Sequence, residues 1–132
     1  MTTQAKSNRK HISDLHFENK VHFNELVFYR QELELLKNRL EELAARNTKT
    51  EVAARIEQFQ NQFIRQEEVN DELRHKITVH QEKLVNYAKE NPVAIDRVLF
   101  DNNDELANEI VRYGELYKEM RDGFYRSVAE WL

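Results

Sequence analysis

A chain of 132 residues with 40% hydrophobic and 33% charged side chains has the mixture of long amphipathic helices, and its length fits one domain. Its 20 basic against 24 acidic residues give a formal net charge of −4, with no drive toward nucleic acid by counterion release, and the absence of cysteine excludes disulfides, thiolate metal sites and cysteine nucleophiles. Two glycines and one proline leave little material for hairpins, which argues against all-β and α/β folds, and no apolar run nears the roughly 20 residues that span a bilayer.

Met1 to Lys10 is polar and lacks the apolar run of a secretory signal, so residues 1–10 are expected to form a flexible tail and 11–132 a single helical-bundle domain in the cytoplasm. From Ile12 the apolar residues follow a heptad: Ile12 and Leu15, then Leu26, Tyr29, Leu33, Leu36, Leu40 and Leu43. This spacing predicts a long first helix. A second stripe, Val21, Phe28 and Leu35, lies off that seam and is expected to widen the apolar face toward two neighbours.

The helix is expected to stop near Asn47, where Thr48-Lys49-Thr50-Glu51 has the form of a capping box: a threonine oxygen for an orphan N–H, and a glutamate three residues on to reciprocate. A short link between long helices requires an antiparallel pair. The second helix carries Val52, Ile56, Phe59, Phe63, Leu73, Ile77, Leu84 and Tyr87 on one face and runs to about Lys89. Asn91-Pro92 then ends it and opens the next, asparagine as N-cap and proline at the first helical position, where its missing N–H costs nothing.

The third segment continues through Ile95, Leu99, Leu106, Ile110, Tyr113, Tyr117, Met120, Phe124, Val128 and Trp131, helical to the end. Asp101-Asn102-Asn103-Asp104 marks a point where it can break, because these side chains compete for backbone hydrogen bonds. Asn103 would then be a second N-cap, and residues 92–100 a separate short helix. Glu42 with Arg46, Glu51 with Arg55 and Asp122 with Arg126 stand four apart on outer faces as ion pairs. The expected fold is all-α, an elongated antiparallel three-helix bundle with coiled-coil-like packing.

The heptads fail at particular places: Asn19 and His22 in the first helix, Gln66, Asn70 and His80 in the second, Asn102 or Asn103 in the third. With a rise of about 1.5 Å per residue, facing positions of the first two helices have numbers summing to roughly 95. His22 then lies near Leu73 and His75, and His16 near His80. Glu105 and Glu109 fall level with His22 and His75, and Asn102 and Asn103 come near His80. The five histidines, His11, His16, His22, His75 and His80, gather in one half of the rod, with Glu18, Glu25 and Glu72 in the same stretch.

Three readings follow, one of them that the seam histidines make stability respond to pH. Polar seam residues fix register by bonding one another, or imidazole and carboxylate ligands from facing helices hold a metal. Glu72-Leu73-Arg74-His75 resembles the Glu-x-x-His element that ferritin-like di-iron bundles carry twice, whereas His22-Phe23-Asn24-Glu25 has the reverse order. The metal candidates are His22, Glu72, His75, Glu105 and Glu109, for iron, manganese or zinc, in a small metal-binding bundle. Ser7, Ser13 and Ser127 have no nucleophile-elbow turn around them, and Gly114 and Gly123 are isolated in helical pattern, read as close-packing or bending points rather than a phosphate loop.

Near the C-terminus, Tyr125, Val128 and Leu132 form a short stripe beside the core stripe, read as broader packing or as a self-association contact. Without a catalytic constellation, the leading expectation is a non-enzymatic structural or protein-interaction module with no cofactor. It engages a protein partner or itself through apolar helix faces, for instance as a homodimer covering Val21, Phe28 and Leu35.

Overall fold

The computed structural model describes residues 12–90 and 97–131. They form three helices, α1 (Ile12–Arg46), α2 (Thr50–Glu90) and α3 (Arg97–Trp131), of 35, 41 and 35 residues. The fold is an all-α three-helix bundle, and no strand occurs among the described residues. The N-terminal tail, His11, the Asn91-Pro92 boundary, Ile95 and Leu132 lie outside the described residues.

α1 contains neither glycine nor proline, so nothing in its backbone interrupts 35 residues of helix. Its buried residues, Leu15, Asn19, Leu26, Tyr29, Leu33, Leu36, Leu40 and Leu43, are the heptad seam. The helix ends where the Asn47 backbone and side-chain amides both donate to the Leu43 carbonyl, at 3.1 and 2.9 Å. That satisfies one of the carbonyls a helix C-terminus leaves open. α2 begins at Thr50, with the Ala53 N–H bonded to the Lys49 carbonyl at 2.9 Å. The helix therefore starts later than a cap at Thr48 requires.

The link from Asn47 to Lys49 forces α1 and α2 to run antiparallel, and their cross-contacts lie within about a turn of the register expected from the rise per residue. Asn70 on α2 bonds the Leu26 carbonyl on α1, and Gln81 bonds the His16 carbonyl. α3 returns antiparallel to α2, with Asn103 opposite His80 and Ser127 opposite Arg55, and so runs parallel to α1. Packing is closest between α1 and α2 and sparsest between α1 and α3.

α3 is unbroken from Arg97 to Trp131, so the expected interruption at 101–103 does not occur. Asn103 is buried, and its side-chain oxygen accepts hydrogen bonds from other helices rather than from its own backbone. Local competition with the helix ladder, which would have broken it, is thereby removed. The loop-proximal half of the bundle is apolar and aromatic. Phe124 sits edge-on to Phe59 and Phe63, each at 5.3 Å between ring centroids, and Tyr29 lies 4.5 Å from Tyr117. Val128 packs against this cluster while Tyr125 stays half exposed, so the C-terminal stripe is divided between core and surface.

Surface charges pair differently from the expected i,i+4 pairs. Glu42 pairs with Arg39, Arg55 reaches Glu130 on α3, and Asp122 faces Arg121. Among the described residues no helix is long and apolar enough to cross a membrane. The two glycines are not points of forced close approach. A Cβ on Gly114 would meet Glu25 and Tyr29 at 3.8 Å, and one on Gly123 would meet Arg126 at the same distance, both ordinary contacts.

Candidate functional site

Two features are not explained by packing alone: a polar layer inside the bundle, and an apolar row outside it. The layer takes one side chain from each helix, Asn19 of α1, His80 of α2 and Asn103 of α3, all at heptad positions and all buried. Asn19 Nδ2 donates to Asn103 Oδ1 at 2.7 Å, and His80 Nε2 lies 3.0 Å from the same oxygen. A carbonyl oxygen only accepts, so this contact sets the neutral imidazole with its proton on Nε2. Burial pushes the His80 pKa below its usual value; the bond to Asn103 opposes that, and the charges of Lys83 and His16 add to it.

One and a half heptads toward the loop, a second polar residue crosses the core. Asn70 Nδ2 donates to the Leu26 carbonyl at 2.9 Å and to the Tyr113 hydroxyl at 3.1 Å, while its Oδ1 accepts from Arg74 Nε at 2.8 Å. Tyr113 in turn donates to the Gln66 carbonyl at 3.4 Å. Burial holds its hydroxyl up at about 12, so it is neutral at any physiological pH. Glu32 accepts from the Tyr117 hydroxyl at 2.7 Å and from Arg121 at 3.0 Å, tying α1 to α3. Burial first, and the neighbouring Glu32 carboxylate second, raise the Tyr117 pKa. Apart from the Arg74–Asn70 bond within α2, these contacts join helices, which is a structural use, while Asn19 Oδ1 and Gln66 Oε1 are buried without a partner.

The structure does not gather the five metal candidates. Glu72, His75, Glu105 and Glu109 are all exposed, Glu109 is engaged by Lys76 at 3.0 Å, and His22 is half-buried with no partner for its Nδ1. Among the described residues no group of three or more histidine, aspartate and glutamate side chains could hold a metal ion. The approach of His16 to His80 and of Asn103 to His80 follows the register expected from the sequence.

Outside the bundle, Val21, Phe28 and Leu35 do not widen the packed face of α1. They lie on its outer side, 46%, 55% and 68% exposed, and Phe17 joins them at 68%. The seam, with Arg30, Glu32 and Lys37 beside it, reaches both neighbouring helices without them. Asn24, Gln31 and Asn38, also exposed, fill the intervening heptad positions. These belong to a second heptad superposed on the first, and the signal for it was the alternation of three and four from Phe17 onward, masked by the stronger leucine seam. The use of the Tyr113 hydroxyl was likewise missed, although a tyrosine at an apolar seam position always has a hydroxyl to satisfy.

No protein family, curated protein or solved structure matches this chain.

Proposed function

We propose that this chain is a non-enzymatic helical-bundle interaction module and that its contact surface is the outer face of α1. The observation that supports this reading is the row Phe17, Val21, Phe28 and Leu35, four large apolar side chains aligned along one helix and left in solvent. A scattered exposed leucine needs no explanation, whereas an aligned row spanning about 27 Å of helix has the form of a helix-binding seam. The core polar side chains of Asn70, His80 and Asn103 support it indirectly, since they bond across helices, and the other exposed large apolar side chains, such as Ile64, Val85, Val98 and Val111, form no continuous row.

The test replaces Phe28, half exposed in the bundle, with a photo-crosslinking phenylalanine analogue in the full chain, expressed in cells, with the same analogue at exposed Gln58 as control. A discrete protein adduct from position 28 and none from 58 is expected, lost when Leu35→Glu is added with an unchanged melting temperature. Equal or absent adducts at both positions, with the purified chain monomeric at high concentration, overturn the reading.

A further inference from the structure

The outer face of α1 is specified in enough detail to name its occupant. We propose that it is a second copy of this chain, paired α1 against α1 in parallel and in register; this rests on the interaction-module reading above. Along the face run Phe17, Val21, Asn24, Phe28, Gln31 and Leu35, every one exposed and spaced alternately four and three. Strict heptad spacing is the geometry in which one helix presents knobs to the holes of another, and a flat or irregular partner would not need it.

Charge selects the partner and its direction. Lys20 and Glu34 flank the row on its α2 side, and Glu25 and Arg39 flank it on its α3 side. In a parallel pair each flanking residue on one edge meets the residue five positions further along on the opposite edge of the other helix. Lys20 therefore meets Glu25 of the other copy, and Glu34 meets Arg39, and the two-fold axis repeats both pairs. In an antiparallel pair each edge meets itself, which still lets Lys20 meet Glu34 on the α2 side but sets the acidic run Glu18, Glu25 and Glu32 against its own copy on the α3 side. Like charges there would oppose association.

The present partners of these groups do not compete strongly. Glu34 bonds Arg30 at 2.7 Å and Arg39 bonds Glu42 at 3.0 Å, both within one helix at the surface, where such pairs are weak and readily shared. Asn24 and Gln31 would each face their own counterpart across the parallel axis, where two amides hydrogen-bond side by side. A polar pair inside an apolar seam fixes register, since a slip of part of a heptad places an amide against Val21 or Phe28, and a slip of a whole heptad places Phe17 against Asn24 and Lys20 away from Glu25.

Sedimentation equilibrium of the full chain is expected to show a dimer. Leu35→Glu, on the exposed row, is expected to weaken dimerisation by at least about a hundredfold with its thermal melt as a monomer unchanged. Lys20→Glu and Glu25→Lys are each expected to weaken it about tenfold, and the two together to restore it to within about threefold. For direction, Asn38→Cys in this cysteine-free chain is expected to form a disulfide dimer on mild oxidation, because parallel alignment puts both copies of residue 38 side by side. Antiparallel alignment would hold them about 35 Å apart.

A dimer in which the double charge swap fails to rescue, or in which Asn38→Cys does not cross-link, overturns the parallel pairing. A strict monomer overturns it as well. If that monomer nevertheless gives a photo-adduct with a different protein from position 28, the interaction reading stands and only the second-copy occupant falls.

Discussion

Asn103 bonds two helices with one oxygen, and its removal should be costly. In Asn103→Ala the His80 Nε2 loses its acceptor inside the core and the Asn19 Nδ2 keeps only the 3.5 Å contact to Gln81 Oε1, a loss expected to cost about 3 kcal/mol, measured as a lower urea midpoint with an unchanged slope. Asn70→Ala should cost about 2 kcal/mol, because it strips donors from the Leu26 carbonyl and the Tyr113 hydroxyl together. His80 makes stability depend on pH. Its folded pKa lies below the ordinary 6.5, so the unfolded chain takes up the proton first as the solution is acidified. The contribution of neutral His80 is complete above about pH 6.5 and is lost as the pH falls below it. Melting temperature should decline from pH 7 to pH 5, and His80→Gln should flatten that decline; a wild-type curve as flat as the variant's would remove the linkage.

At the scale of the helix, α1 carries two heptad seams on opposite sides, and only one is used within the chain. The inner seam was legible in the sequence because its apolar residues, five leucines and Tyr29, repeat without fault from Leu26 to Leu43. The outer one was legible as a pattern but not as a position, because Val21, Phe28 and Leu35 share the period of the seam, and period alone does not say which side faces inward. The unbroken α3 was not legible. Asp101 to Asp104 favour a break by every local rule, and what overrides them is a tertiary bond from Asn19 and His80, 84 and 23 residues away. The start of α2 was misplaced for a milder reason, since helix boundaries follow backbone bonds such as Ala53 to Lys49 that a side-chain motif does not determine. Gly114 offers a direct test of helix energetics. It is buried in regular helix with ordinary space for a methyl group, so Gly114→Ala is expected to stabilise the protein by about 1 kcal/mol and raise its melting temperature by a few degrees.

The whole molecule divides into halves of unequal character. The half near the α1–α2 link is held by aromatic rings packed edge to face, and the other by amide and imidazole hydrogen bonds around Asn19, His80 and Asn103. Apolar burial contributes roughly 1.5–3 kcal/mol per large side chain, whereas a neutral internal hydrogen bond contributes about 1 kcal/mol net. Amide hydrogens of Leu15 to His22 and of Ile77 to Leu84 are therefore expected to exchange faster than those of Leu33 to Leu40 and of Phe59 to Phe63, through partial opening of the polar half. The register of the three helices, and with it the meeting of His16, His80 and Asn103, followed from the short link and the rise per residue. The scatter of Glu72, His75, Glu105 and Glu109 over the surface did not, because register sets the level of a residue along the rod and not its side of the helix.

Trp131 is the lone tryptophan, and it stands at the aromatic end, 6.2 Å from the ring of Phe59 and beneath the guanidinium of Arg55 at 5.9 Å. Its emission is consequently a reporter of that end alone. If the polar half loosens first, far-UV ellipticity will begin to fall while the fluorescence spectrum holds its folded wavelength. The separation between the two traces on heating then measures how far the rod departs from all-or-none unfolding, without any label being added.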